Sequence, residues 1–270
     1  MIVSIKYIPE DMIKASLLFD SHIHLDTNQP GLEGLLHRAN QNGVKYILIV
    51  GTDISSSQEA VELAKRYDRG LWAAVGCHPH EADEYASCEL SALENLIQFP
   101  QVIGIGETGL DAYKMYSDLQ NQQRLFLKHI EIALKYNKPL IIHCRQAHAI
   151  CREILHRLDR PVRGVMHCFS GSKEDLRDYL GMGLYISIAG PVTFTRAHKV
   201  REIAKAIPLS RLLVETDSPY LAPQPVRGKP NEPAYLRYIV ESLAELHGIT
   251  PEQLTELTTT NAFELFKIQC

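Results

Sequence analysis

Eight short runs rich in Val, Ile and Leu, with stretches of helical periodicity between and after them, constrain this chain more than any other feature. The runs cover 17–22, 44–50, 71–76, 102–106, 139–143, 164–167, 184–189 and 212–216. Several are almost continuously apolar, as in Tyr46-Ile47-Leu48-Ile49-Val50, which is how strands covered on both faces of a parallel sheet read. Helical patterns follow at 31–41, 55–67, 118–136, 147–158, 173–180 and 196–207, with two more at 232–247 and 251–266. Strand starts about 20 to 40 residues apart leave room for a crossover helix each time. Eight such units predict a single α/β domain closed as a (β/α)8 TIM barrel. The competing open doubly wound sheet lacks its usual support, because no GxGxxG or GxxxxGK[ST] opens a helix. The five prolines between 219 and 233 read as a rigid loop inside the barrel rather than a linker.

With 270 residues and 45% hydrophobic content the chain can bury a core of that size. The barrel is expected over 18–270, and 1–17 as an N-terminal extension whose structure the sequence leaves open. Lys and Arg number 28 against 32 Asp and Glu, a net charge of −4. No bulk positive field is available, so any nucleic-acid contact must be local. The cysteines Cys77, Cys88, Cys144, Cys151, Cys168 and Cys270 form no CxxC pair, so a cytoplasmic setting is expected. No apolar run reaches the roughly 18 residues of a membrane helix. Pro9, Glu10 and Asp11 interrupt the place where a signal peptide would need its apolar stretch. A monomer without membrane contact is the favoured state.

Six metal-binding side chains fall at predicted strand ends: His22 and His24 after the first, Glu107 after the fourth, His143 after the fifth, His167 after the sixth and Asp217 after the eighth. Each alone has an ordinary structural explanation, such as a hydrogen-bonded core histidine or a capping carboxylate. Together they occupy the rim where barrel enzymes assemble their sites. Alternation along a strand turns His22 and His24 the same way. Four imidazoles and two carboxylates exceed the three or four protein ligands of one open site, and so predict two divalent ions, Zn2+, Mn2+ or Mg2+. Cys144 and Cys168 follow ligand histidines and are expected to pack on the opposite face. Glu215, two residues before Asp217, is expected deeper in the barrel, in a supporting hydrogen bond or ion pair.

The segments Phe19-Asp20-Ser21-His22-Ile23-His24-Leu25-Asp26, Gly76-Cys77-His78-Pro79-His80, Gly106-Glu107-Thr108-Gly109-Leu110-Asp111, His167-Cys168-Phe169-Ser170-Gly171 and Glu215-Thr216-Asp217-Ser218-Pro219-Tyr220-Leu221 closely resemble the TatD family of metal-dependent deoxyribonucleases. The resemblance runs from about Leu18 to the C-terminus and includes Lys229-Pro230-Asn231-Glu232-Pro233 and Asn261-Ala262-Phe263. It implies an amidohydrolase-like barrel with His22, His24, Glu107 and Asp217 around one ion, and Glu107, His143 and His167 around the other. Glu107 would bridge them, standing where the wider superfamily often has a carboxylated lysine. Ile23 and Thr108 depart from the family pattern, where Cys and Ile are frequent, without removing a ligand.

The expected function is metal-dependent hydrolysis of DNA phosphodiesters, with 3′-to-5′ exonuclease action on strand ends as the resemblance suggests. Paired cations make a water acidic enough to attack near neutral pH. Asp217 is the candidate base, Glu107 the bridge, and His78 a proton or hydrogen-bond source near the leaving oxygen. Arg145, Arg227 and Lys229 are candidates for phosphate contact. Tyr113, Phe169 and Tyr220 are expected on rim loops, where a ring could stack a terminal base. Asn231 reads as a helix N-cap. Two other readings fit the same residues: hydrolysis of an ester or amide, including removal of an aminoacyl group from tRNA, and a non-catalytic binding protein with a structural metal.

Overall fold

Each of the eight apolar runs is a strand in the computed structural model, which describes residues 17–27, 29, 31–67, 70–87 and 90–269. The strands are β1 (Leu18–Ile23), β2 (Val44–Val50), β3 (Leu71–Val75), β4 (Val102–Asp111), β5 (Leu140–Arg145), β6 (Gly164–Met166), β7 (Tyr185–Ile188) and β8 (Leu212–Val214). They pair in parallel and in chain order. The segment leaving β8 returns to β1, where Asp217 N–H donates to the His22 carbonyl at 2.9 Å and His24 N–H to the Ser218 carbonyl at 2.8 Å. Those bonds close the barrel at its C-terminal rim. Apart from Leu17, the predicted N-terminal extension lies outside the described residues.

The wall consists of α1 (Leu32–Gln41), α2 (Ile54–Arg66), α3 (Ala82–Tyr85), α4 (Ser91–Ile97), α5 (Leu119–Tyr136), α6 (His148–His156), α7 (Lys173–Gly181), α8 (His198–Ala206), α9 (Leu236–His247) and α10 (Pro251–Phe266). Several boundaries follow from local chemistry. Asp53 with Ser56, Ser172 with Asp175, and Thr250 with Gln253 form reciprocal capping boxes at the starts of α2, α7 and α10. The sequence pattern gives no sign of α3 and α4. They are one or two turns long and bury only Ala82, Leu93 and Ile97, too few positions for a 3.6-residue period to register. Among the described residues no helix is long and apolar enough to cross a membrane.

Asn231 is not a helix cap. A 3-10 turn (Pro233–Tyr235) precedes α9, and the Asn231 amide donates to the carbonyls of Thr216 at 2.8 Å and Tyr220 at 2.7 Å. It therefore clamps the loop that carries Asp217.

Two apolar layers result. One lies between strands and helices; the other fills the barrel, with Phe19, Leu48, Ile103, Ile141, Val165, Tyr185 and Leu213 meeting Leu265 and Phe266 of α10. Phe19 stacks on Trp72 at 5.6 Å and on Phe266 at 5.8 Å between ring centroids. This plug closes the N-terminal end and leaves chemistry to the opposite rim. Truncating a core ring such as Phe19 to Ala should cost about 3–5 kcal/mol.

Two bulges lie beside the candidate ligands. Along β1, Asp20 pairs with Ile47 and Ile23 with Ile49; along β4, Ile105 pairs with Leu140 and Thr108 with Ile142. Each strand thus carries one extra residue. Because of the first bulge, Phe19 and Ser21 face inward, yet His22 and His24 also reach the site. The second bulge contains Gly106-Glu107, with Gly106 at φ 149°. A Cβ on Gly106 would lie 2.6 Å from the Ile141 carbonyl oxygen, and one on Gly76 would lie 2.6 Å from Gly106 Cα. Only glycines allow these backbones to approach so closely.

Candidate metal centre

Glu107 lies within β4 rather than at its end, because the strand runs on to Asp111. Its two carboxylate oxygens face different donor groups. Oε2 is 3.4 Å from His22 Nε2 and 3.6 Å from His24 Nε2. Those two nitrogens are 3.2 Å apart, and Asp217 Oδ1 is 4.0 Å and 3.6 Å from them. Donors placed tetrahedrally at the usual Zn–N and Zn–O distances stand about 3.3–3.6 Å from one another, so these four atoms outline the edges of one cation site. Asp217 reaches it from a left-handed backbone conformation, φ 57°, which Asp tolerates better than most residues.

Glu107 Oε1 is 2.9 Å from both His143 Nδ1 and His167 Nε2, and these nitrogens are 3.4 Å apart. His78 Nε2 also lies 3.4 Å from Oε1. Hydrogen bonds at the far side of four rings distinguish their roles, whereas His22 Nδ1 is buried without a hydrogen-bond partner. His24 Nδ1 faces the Val50 carbonyl at 2.9 Å, His143 Nε2 faces Asp111 Oδ2 at 3.1 Å, and His167 Nδ1 faces Glu215 Oε1 at 3.2 Å. A proton on each of those nitrogens leaves the opposite lone pair aimed at the cage, the arrangement of a ligand histidine. In His78 the far nitrogen, Nδ1, accepts from His80 N–H at 3.1 Å. Its neutral ring therefore carries the proton on Nε2, and His78 presents a donor where the others present lone pairs. The donor set fits divalent cations.

The electrostatics follow from burial and mutual charge. Burial pushes His22 and His78 down to about 4. Burial also opposes charge on His24, His143 and His167, but the surrounding carboxylates outweigh it and raise all three, His167 most, between Glu107 and Glu215. Burial alone would raise Glu107; the imidazoles around it hold it well below the usual carboxylate range.

Several supporting groups carry no metal-binding signature in the sequence. Asp111 Oδ2 joins His143 to His80, 3.1 Å from each ring nitrogen, and its other oxygen accepts from the N–H groups of Tyr113 and Lys114. His129 on α5 accepts the Cys77 N–H at 3.0 Å, fixing the segment that leads into His78. Glu215 takes its expected supporting place, accepting also from the Cys168 N–H at 2.7 Å. Cys144 is buried, whereas Cys168 is partly exposed at φ 42°. Burial and neighbouring acidic groups push the Cys168 thiol well up, and Cys144 moves the same way through its contact with Cys151 and its burial, both directions that favour the thiol over the thiolate.

On the rim, Tyr113 and Tyr220 are 50% and 61% exposed. The Arg145 guanidinium lies 3.9 Å from the Tyr113 ring centroid, and Tyr220 stands 6.0 Å from His24. Tyr116, absent from the sequence candidates, sits 4.7 Å from His80. Phe169 differs from expectation: it is buried, packed edge-on against His148 and Tyr179, and offers no ring face to a base. Lys229 is exposed on the β8–α9 loop, while Arg227 turns toward Phe194.

A family profile described as TatD related DNase matches residues 19–267. The chain is 41% identical over 255 residues to the metal-dependent hydrolase YabD of Bacillus subtilis, covering 93% of this chain and all of that protein. It is 37% identical over 259 residues to the 3′-5′ ssDNA/RNA exonuclease TatD of Salmonella typhimurium, covering 93% and 99% of the two chains. Among solved structures, the TatD homologue YjjV of Escherichia coli superposes with a TM-score of 0.85 at 29% identity, over 93% of this chain and 98% of that one. With its barrel, its rim of imidazoles and carboxylates and this likeness over nearly its whole length, the chain belongs to the TatD-related DNase family of metal-dependent hydrolases.

Proposed function

We propose that this hydrolase removes nucleotides from the 3′ ends of single-stranded DNA in the cytoplasm, using two divalent ions, Zn2+, Mn2+ or Mg2+, that share Glu107. The observation that carries the reading is the division of donors between the two oxygens of that one carboxylate. His22, His24 and Asp217 would complete one site, and His143 and His167 the other. When bound, the ions supply Lewis acidity, bringing the pKa of water toward about 7 and offsetting charge on the attacking and leaving oxygens. Asp217, the least enclosed of the carboxylates in the cage, orients that water and receives its proton. His78 directs its Nε2 proton toward the leaving oxygen. Tyr113 and Tyr220 offer exposed ring faces to the last bases of a strand, and Arg145 and Lys229 bind phosphate oxygens. The 3′-to-5′ direction draws its support from the activity named for the Salmonella relative.

The test is product analysis with metal-reconstituted protein on single- and double-stranded DNA and on RNA, each labelled at either end, beside a panel of carboxylic esters and aminoacyl-tRNA. Progressive shortening of 5′-labelled single strands is expected. Hydrolysis of esters or aminoacyl-tRNA with labelled DNA left intact would overturn the proposal.

A further inference from the structure

On the wall helices, Arg38 pairs with Glu232, Lys135 with Glu94, Arg152 with Asp175 and Asp178, and Lys173 with Glu202. On the loops following β7 and β8, Arg196 and Arg227 are exposed, and among the described residues neither forms an ion pair with a carboxylate. Both line one cavity of about 490 Å3, whose other walls are Phe194, Thr195, Ala197 and Gln224. That volume lies within the roughly 300–1,000 Å3 of sites that hold small organic groups. No acidic side chain and no member of the candidate metal centre lines it.

The cavity is anchored on both sides. Gln224 N–H donates to Thr193 Oγ1 at 2.8 Å, and Gly190 packs so tightly on the next loop that a Cβ there would lie 1.9 Å from the Leu221 carbonyl oxygen. The loop on the β8 side is the one that begins at Asp217, so the cavity and the metal centre share a rigid segment. Inside it, the Arg227 guanidinium lies 4.5 Å from the Phe194 ring centroid. That cation–π contact steadies the guanidinium, whose N–H groups suit two parallel bonds to a phosphate. A chain of net charge −4 must hold a polyanion through such local groups.

We propose that this cavity is a second nucleic-acid subsite, taking a phosphate and base of the substrate strand at least one nucleotide removed from the bond being cut. Arg196 and Arg227 contact the phosphate oxygens and Phe194 the base. The inference rests on the nuclease reading above and adds to it a preference for strands longer than a dinucleotide.

The test compares binding of fluorescein-labelled single-stranded DNA of two and six nucleotides, with phosphorothioate linkages to block cleavage, to the full metal-loaded chain. The wild type should bind the hexanucleotide at least tenfold more tightly than the dinucleotide. The double variant Arg196→Ala, Arg227→Ala should reduce that advantage to less than about threefold, leave dinucleotide affinity unchanged, and make the salt dependence shallower by about 0.7, the contribution of one phosphate on a single strand. Phe194→Ala should weaken hexanucleotide binding by about tenfold, as expected for a lost stacking contact. Lys173→Ala, a wall substitution, should leave the length preference intact. All these substitutions except Phe194→Ala are at exposed positions, and circular dichroism of each variant is the check on folding. A length advantage that persisted in the double variant would overturn the subsite while leaving the nuclease reading standing. A wild type that neither bound nor shortened any strand, yet hydrolysed esters, would overturn both.

Discussion

Asp20 accepts two hydrogen bonds from Thr216, its backbone N–H at 2.8 Å and its hydroxyl at 2.6 Å. Both residues are buried, and Thr216 immediately precedes Asp217. The first strand, which holds His22 and leads into His24, thereby also positions the carboxylate delivered by the neighbouring segment after β8, across the closing seam. Thr216→Val keeps the shape and removes the hydroxyl donor. Loss of one supporting bond should weaken the ion held by His22, His24 and Asp217 by about 10- to 100-fold, and leave the ion between His143 and His167 nearly unchanged. A two-site metal titration reads this directly; equal weakening of both sites would disprove the connection.

Asp217→Asn preserves size but removes a charge that completes one ligand set and serves as the proposed base. Turnover should fall by at least about a hundredfold, in line with typical losses of general-base function, with little change in oligonucleotide affinity. Full turnover with both ions bound would move the base to another group. Arg145→Ala and Lys229→Ala should show the converse pattern: weaker DNA binding, shallower salt dependence and nearly unchanged hydrolysis of a small neutral ester.

Ion binding should release protons. The carboxylates of the cage raise His24, His143 and His167 above the usual imidazole value of 6.5, and a cation takes up the lone pairs that those protons would occupy. Apparent metal affinity should therefore rise with pH through and above 6.5. Calorimetric titration in two buffers of different ionisation enthalpy measures the number released; heats independent of buffer would contradict the shared-proton arrangement.

Buried His129 gives a separate pH signature in folding. Burial lowers it from 6.5 to about 4, while its ring accepts from Cys77 N–H and donates to the Leu125 carbonyl. Between pH 4 and 6.5 the unfolded chain binds a proton at this residue and the folded chain does not. The stability it contributes is therefore complete above pH 6.5 and is lost as pH falls toward 4, on the order of 3 kcal/mol. His129→Gln keeps an acceptor for Cys77 and should flatten this part of the stability curve, measured by denaturant titration of chelated protein. An unchanged slope would show that His129 is not the group responsible.

Several features were legible along the chain. The eight strands reflect local composition, because strands covered on both faces of a parallel sheet are mostly apolar. The candidate ligands were legible for a related reason: His22, His24, Glu107, His143, His167 and Asp217 are polar residues placed where apolar runs stop or turn, although Glu107 lies inside β4. By contrast, the short α3 and α4 make too few core contacts to impose a period, and Asn231 has the local appearance of a cap while its partners, Thr216 and Tyr220, lie across a folded loop.

The sequence by itself determined the alternation of strands and helices and the inventory of candidate metal donors, since hydrophobic period and residue chemistry are local properties. Only the tertiary structure decided which oxygen of Glu107 faces which histidines, because two bulges shift β1 and β4 by one residue each relative to β2 and β5. It also decided that Asp111 and Glu215 orient the second pair of imidazoles, that Phe169 is packing rather than platform, and that Arg227 meets Phe194. Each of these is a contact between segments far apart in the chain, and its geometry exists only once barrel closure has fixed the distances.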